Sequence, residues 1–358
     1  MPVAGLVRLR KHQFGRQSAM GSPVAATRAY PFKGVPDVDL GWTDPEIDVG
    51  SLDPVAAPVR NTPTIGAPLT DNSLHYNDLP LKLAAFFGGN VAPTGAGTAQ
   101  TWQFDPASET VDPIDVFTYQ FGDDVLTDWF QLGDGLLTSW EITGPEGLGP
   151  LTDSMAWKFG SAASTGSTDS PVTGVVPTPA LNVATNDAVV YLKDIAIFIS
   201  STYAAIASSQ ITDALHSFVL RFTREVDEKR YANGDQEFDI DDYATASRGI
   251  ELECSWAKTS DIVGTGSEAD AWFSDDAVTR YVRIRAIAKV IAEAASTYYS
   301  LTFDMPMRYY TRSDADSGGN SIVVLTGHAF NEPDTFAGVF KGTVVCTLTD
   351  AELGTIAS

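Results

Sequence analysis

The residues best suited to chemistry in this sequence are four histidines, two cysteines and one dense run of acids. No G-x-S-x-G serine elbow, His-Glu-x-x-His metal motif or glycine-rich phosphate loop occurs, and the histidines follow no motif spacing: His12, His75, His216 and His328. We therefore predict no catalytic residue, no metal ligand and no cofactor, and a protein that is not an enzyme. Paired glycosidase carboxylates stay open, because such pairs meet only in three dimensions.

Cys254 and Cys346 lie far apart in strand-like stretches, which is neither a disulfide framework nor a metal motif. We predict that both are buried free thiols.

The acidic run "NGDQEFDIDD" has several carboxylates within a dozen residues, as calcium loops do. The glycine and closing glutamate of an EF-hand are misplaced, so the run is predicted to be the tip of a β-hairpin spanning Glu225 to Gly249. Apolar side chains are poor choices for a solvated tip. We therefore predict that the tip contacts a neighbouring copy of the chain through Asp235, Glu237, Phe238, Asp239, Ile240 and Asp241. Whether this acidic hairpin binds a cation stays open.

The elements around these residues are mostly strands. From Thr101 onward apolar and polar residues alternate with period two between Asp/Gly/Pro turns, among them Gly122-Asp123-Asp124 and Gly133-Asp134-Gly135. One helix is predicted near 78–88, with one buried face, a cap at Asn77 or Asp78 and a stop at Gly88. The segment 267–278 could form a second short helix. The seven tryptophans fall on alternating patterns and are predicted to fill the core.

These patterns divide the chain into a basic arm (residues 1–36), a first β-sandwich (37–165), a polar linker (166–187) and a second β-sandwich (188–358). The halves are similar in style, which is consistent with a diverged tandem duplication. The fold class is therefore mainly β: an antiparallel β-sandwich or barrel with short flanking helices and two tandem domains.

Charge excludes a protein that grips nucleic acid. Asp and Glu number 46 against 23 Lys and Arg, a net charge of −23, whereas DNA-binding proteins gain affinity from an excess of basic residues. The basic arm is the exception, because it holds six basic residues and no acid. No export signal or membrane-spanning stretch is predicted.

Two stretches resemble the tail tube (major tail) proteins of long-tailed, siphovirus-type bacteriophages. The first runs from "ATRAYPFKGVPDVDLGW" to "HYNDLPLKLAAFFGG", and the second from "YYSLTFDMPMRYY" to "VFKGTVVCTLTDAEL". The resemblance covers about a third of the chain closely and most of it loosely. The chain is about twice as long as a single-domain member of that family.

What the resemblance implies is a structural virion protein of the tail, assembled in the host cytoplasm, with a β-sandwich tail-tube fold. Copies would form stacked rings around a channel for genomic DNA, which passes without specific binding. Family partners would be the tape-measure, tail terminator and tail-tip proteins, with no membrane. The double length favours a pseudo-hexameric ring of three subunits; six subunits, each with one tube domain, are the alternative.

The basic arm suggests how rings would join. Its residues Arg8, Arg10, Lys11 and Arg16 are predicted to dock on an acidic neighbouring subunit, each exposed pair adding little and the set acting together. Deleting residues 2–16 is then expected to weaken assembly and spare the fold. A different class of function also stays open: an acidic β-sandwich binding module, carbohydrate-binding or adhesin-like, or another virion decoration protein.

Overall fold

The computed structural model describes residues 10–39, 42–43, 59–60, 64–71, 73–88, 92–95, 97–106, 115–123, 128–164, 188–212, 214–229, 242–258, 262, 278–292, 294, 296–317 and 319–354. These residues are mostly antiparallel β-strand with few short helices, which confirms the mainly-β sandwich or barrel class. The strands are β1 (Arg10–Arg16), β2 (Arg28–Tyr30), β3 (Lys33–Gly34), β4 (Asp37–Asp39), β5 (Trp42–Thr43), β6 (Val59–Arg60), β7 (Thr64–Asp71), β8 (Gln100–Phe104), β9 (Phe117–Asp123), β10 (Asp128–Gly144), β11 (Thr152–Lys158), β12 (Ser161–Ser164), β13 (Ile195–Ser200), β14 (Gln210–Ile211), β15 (Leu215–Lys229), β16 (Asp242–Ala257), β17 (Arg280–Val290), β18 (Tyr298–Ser317), β19 (Asn320–Ala329) and β20 (Lys341–Cys346). The α-helices are α1 (Leu79–Phe87) and α2 (Asp350–Leu353), and 3₁₀ helices span Leu192–Asp194 and Tyr203–Ser208.

Strand β10 joins two sheets because its two halves pair with different neighbours. Its first half lies between β9 and β12, in a sheet ordered β2-β1-β9-β10-β12. Its second half lies between β11 and β15. The register with β9 shifts between Leu132 and Gly135, where Asp134 has a φ of 57°. The predicted turn at Gly133-Asp134-Gly135 is thus wrong: it is a bulge inside one long strand, which re-aims the strand from one sheet to the other.

The larger sheet contains strands from both halves of the chain. From β10 it continues through β11 to β7 and the short β3 and β4, and in the other direction through β15, β16 and β19 to β18. The first half of β18 lies between β17 and β20, β17 pairs with β13, and β20 pairs with β8. Strand β8 comes from the first half of the sequence and β20 from the second.

The two halves also share one hydrophobic core. Phe87 of α1 stacks on Phe340 at 4.6 Å, and Trp140 of β10 stacks on Phe222 of β15 at 4.8 Å. The predicted linker 166–187 lies outside the described residues, and the segments on its two sides pack as one body. This differs from the two separate sandwiches that the sequence predicted, because strand pairing across the halves merges their apolar faces into one cluster.

Helix α1 confirms the helix predicted near 78–88, and Gly88 ends it with a φ of 72°. The expected cap is wrong, because the side chain of Asp78 makes no capping hydrogen bond. The expected single buried face is also wrong, since all nine residues are buried, including Lys82. A helix buried all round has packed elements on every side. None of the described helices has the length and apolar character needed to span a membrane.

The cysteine and tryptophan predictions are confirmed where the structure describes them. Cys254 and Cys346 are buried free thiols. Five tryptophans are buried in the described part of the chain: Trp102, Trp129, Trp140, Trp157 and Trp256. The possible helix at 267–278 lies outside the described residues.

Candidate functional site

The predicted contact residues of the basic arm fall into three settings. Arg8 lies outside the described residues. Arg10 is exposed at the start of β1, with its guanidinium 5.7 Å from the ring centroid of Phe121, and Lys11 is half-buried. Both could meet another molecule, so their contact role stays a prediction.

Arg16 has a different environment from the one predicted for it. Its side chain is buried, and its Nη2 lies 2.7 Å from Oδ2 of Asp115 in the same chain. Strand β1 also pairs with β9 along its whole length, from Arg10 to Arg16. Residues from Arg10 onward are thus part of the sheet, and Arg16 belongs to the fold rather than to a docking surface.

The predicted hairpin from Glu225 to Gly249 is present. Strands β15 and β16 pair out to Lys229 opposite Asp242, with a register shift between Glu225 and Val226. Residues 230–241 lie outside the described residues, and with them the whole predicted contact set Asp235, Glu237, Phe238, Asp239, Ile240 and Asp241. The described base of the hairpin is buried only up to Arg224, and the following residues are exposed or half-exposed.

A second hairpin presents an open strand edge, which the sequence analysis did not identify. The outer half of β18, Thr311–Ser317, pairs with β19 on one side, and no other described strand pairs with it. None of these seven residues is buried. An open strand edge presents unpaired N–H and C=O groups that can pair with another chain.

A row of charged side chains crosses the larger sheet at one register level. Glu141, Arg221, Glu251 and His328 are successive cross-strand partners on β10, β15, β16 and β19. Arg221 contacts Glu141 at 2.9 Å and Glu251 at 2.8 Å. Burial alone would lower the pKa of Arg221, but these hydrogen bonds raise it. A shallow depression of about 260 Å³ adjoins the row beside Trp140.

The four histidines have separate environments. His12 Nδ1 is 2.7 Å from the hydroxyl of Tyr119, and burial lowers the pKa of His12 to about 4. His216 Nε2 lies 3.1 Å from Glu146, and His328 stacks on Tyr310 at 4.2 Å. Only His75 lies beside two buried carboxylates, at the beginning of helix α1.

A buried ion pair anchors helix α1 to the sheet. Lys82 Nζ lies 2.6 Å from Asp153 Oδ2, and both side chains are 0% exposed. The indole Nε1 of Trp140 donates to the same oxygen at 2.8 Å. Burial would lower the pKa of Lys82, but Asp153 and Asp78 raise it above its usual value. The charged form is therefore the stable one.

The same network extends to the loop between β7 and α1. Asp71 Oδ2 is 3.7 Å and Asp78 Oδ2 3.6 Å from Nδ1 of His75. Burial raises the pKa of Asp78 to about 6, although Lys82, His75 and Arg28 act to lower it. The spacing Asp71, His75, Asp78 is visible in the sequence, but Asp78 was interpreted as a helix cap. In this loop, the ring nitrogen Nδ1 of His75 and the carboxylates of Asp71 and Asp78 converge.

Comparison with known proteins adds no relative to these observations. The chain matches no protein-family model and no curated protein.

Proposed function

We propose that this chain is a tail tube protein of a long-tailed bacteriophage, a structural protein that polymerises into stacked rings around a DNA channel. The observation that carries the proposal is the open edge of β18, Thr311–Ser317, which among the described strands pairs only with β19. The resemblance of the sequence supplies the family. Its location is then the virion tail, and its partners are other copies of itself and the tape-measure, terminator and tail-tip proteins.

The open edge is more typical of a protein that assembles with other copies than of a monomer. Monomeric β proteins protect such edges with short strands, charged side chains, prolines, bulges or a covering element. Among the described residues this edge pairs with β19 alone and is seven residues long without a proline. Arg312, Asp314 and Asp316 give the edge charge, so a strand that pairs with it would need complementary charges. Pairing of this edge with a strand of the next subunit would extend the sheet around a ring.

Charge gives the channel its physical rationale. With a net charge of −23, a wall made from this chain repels a DNA duplex, so DNA slides without sticking. The effect belongs to the summed field, so no single carboxylate is essential.

The shared core bears on ring symmetry. Because the described parts of both halves pack around one core, each copy would enter a ring as one body rather than as two separate domains. We keep the ring of three as the proposal, with six as the alternative. Class averages of end-on rings give the subunit count directly.

Electron microscopy of the concentrated protein tests the proposal. Rings or hollow tubes are the expected result. A globular species that stays monomeric at every concentration would contradict it, and sugar binding by that species would favour the carbohydrate-binding alternative. The five described tryptophans are all buried, so none of them offers that alternative an aromatic platform.

Two neighbouring proline substitutions test the role of the edge. Successive N–H groups of a strand point to opposite sides, and proline has no N–H group. One of the variants Ala315→Pro and Asp316→Pro therefore loses a hydrogen bond to β19. The other loses an N–H group that points away from β19. The variant that keeps the wild-type melting temperature identifies the outward position, and it should lose ring assembly. If that stable variant assembled normally, the edge of β18 would not be part of the interface between subunits.

Shortening the β15–β16 hairpin tests the second predicted contact. Removing the segment from Lys229 to Tyr243 should leave folded subunits that do not stack, because the buried part of the hairpin ends at Arg224. Circular dichroism checks the fold, and sedimentation measures stacking. Stacking at the wild-type level would show that the hairpin is an ordinary solvated loop with no role in stacking.

A further inference from the structure

The loop between β7 and α1 holds three metal-ligating side chains in one place. Asp71 ends strand β7, His75 forms an isolated bridge with Val189, and Asp78 immediately precedes α1. One ligand atom from each lies within 4.8 Å of the other two. We propose that Asp71, His75 and Asp78 bind one divalent metal ion of the zinc type.

The distances fit coordination better than hydrogen bonding. His75 Nδ1 lies 3.7 Å from Asp71 Oδ2 and 3.6 Å from Asp78 Oδ2, both longer than the usual N–H···O range of about 2.7–3.2 Å. Tetrahedral zinc with ligands about 2.0–2.2 Å away places those ligands about 3.4 Å from each other. The two distances from His75 are close to that spacing, all three ligand atoms lie within 4.8 Å of one another, and water would complete the coordination.

Asp78 supplies the second observation that points to an ion. Its side chain is completely buried, and neither carboxylate oxygen accepts a hydrogen bond from any described residue. Arg28 Nη2 lies 3.8 Å from Asp78 Oδ1, which is beyond hydrogen-bond distance. Such a buried carboxylate is unfavourable unless it is paired or bound to a metal.

The charge of the surrounding network leaves room for a cation. The buried carboxylates are Asp71, Asp78 and Asp153, against the buried cations Arg28 and Lys82. Lys82 is already held by Asp153 at 2.6 Å. The buried carboxylates thus outnumber the buried cations, and a divalent ion between Asp71 and Asp78 would give both a partner.

The backbone around the three residues is fixed before any ion binds. The amide N of Ser73 donates to Asp71 Oδ1 at 3.0 Å, which leaves Oδ2 directed towards His75. Tyr76 N donates to Ala188 O, and Asn77 Nδ2 donates to Thr347 Oγ1. The ion would thus act as a structural clamp between the end of β7 and the start of α1. A nitrogen ligand beside two carboxylates favours zinc-like ions over calcium, which takes oxygen ligands.

Metal titration of the full-length protein tests the site. After treatment with EDTA and buffer exchange, wild-type protein should bind one Zn²⁺ by calorimetry and raise its melting temperature, and Ca²⁺ at the same concentration should do neither. Co²⁺ should give the visible absorption bands of a protein-bound ion. Absence of Zn²⁺ binding in wild-type protein, or preference for Ca²⁺, would overturn the assignment.

Two ligand variants and one matched control locate the ion. His75→Gln and Asp78→Asn should each weaken Zn²⁺ binding by more than about tenfold, because even loss of an outer-shell partner weakens metal binding about 10–100-fold. His216→Gln, which removes a histidine that contacts Glu146, should bind as wild type does. If Asp78→Asn fails to fold, the partly exposed His75 still gives the decisive variant. Unchanged Zn²⁺ affinity in folded His75→Gln would refute the site, whether or not the protein forms tubes.

Discussion

At the scale of single residues, the buried ion pair between Lys82 and Asp153 is the strongest electrostatic feature. Replacing Lys82 with methionine should lower the free energy of unfolding by about 3–5 kcal/mol, because Asp153 then stays buried without its cation. Denaturant unfolding measures the change. The double variant K82M/D153N should be more stable than K82M, since it removes the uncompensated charge. A single variant as stable as wild type would show that the pair contributes little.

A second buried pair predicts a pH dependence. Burial raises the pKa of Asp115 to about 6, although Arg16 and Arg224 both lower it. A carboxyl whose pKa is higher in the folded state stabilises the fold at low pH, and that contribution is lost as pH rises from about 4 to 6. The full shift corresponds to about 3 kcal/mol.

The variant Asp115→Asn should therefore have a flatter stability curve between pH 4 and 7 than wild type. Unfolding in the presence of EDTA at a series of pH values gives the two slopes. Asp316→Asn, at an exposed position, is the control and should keep the wild-type slope. Equal slopes for wild type and Asp115→Asn would contradict a raised pKa at this site.

At the scale of elements, the bulge in β10 decides how the two sheets meet. A Cβ added at Gly135 would lie 2.4 Å from Cε1 of Phe159 and 2.7 Å from the carbonyl of Phe117. Gly135→Ala should thus lower the free energy of unfolding by about 1–3 kcal/mol, as overpacking does. Gly66→Ala on β7 is the matched control, because the added Cβ meets its closest atom at 3.5 Å. Equal losses in the two variants would mean that the bulge has room to adjust.

Local patterns predicted most of the elements, and long-range pairing explains the misses. Alternation and turn residues indicated the β15–β16 hairpin and the helix near 78–88, because those signals lie within a few residues of each other. The bulge at Asp134 was read as a turn, since Gly-Asp-Gly satisfies either structure. The partner of Lys82 is Asp153, and no local pattern could specify a contact formed by packing a helix on a distant strand.

The candidate site was missed for a related reason. Asp71, His75 and Asp78 stand close together in the sequence, but their convergence depends on the direction in which β7 ends and α1 begins. The predicted contacts at 235–241 lie outside the described residues and stay predictions.

At the scale of the whole molecule, net charge opposes the assembly that the open edge favours. The chain has a net charge of −23, so neighbouring subunits in the proposed ring would repel one another. Three basic residues of the predicted arm, Arg8, Arg10 and Lys11, are too few to offset much of that charge. We therefore expect repulsion to dominate the salt dependence of assembly.

Raising NaCl from about 0.1 to about 1 M shortens the screening length from about 10 to about 3 Å, so tube formation should increase over this range. Pelleted protein at each salt concentration measures it, with sucrose at equal osmolality as the control for non-ionic effects. The variant R10Q/K11Q, which is more negative, should need more salt to reach the same yield. If attraction between the basic arm and an acidic neighbour dominated instead, salt would dissolve the tubes. That result would contradict the expectation that repulsion dominates. Deletion of residues 2–9 then tests the segment that precedes β1, whereas deletion through Arg16 should unfold the protein because it removes the whole of β1.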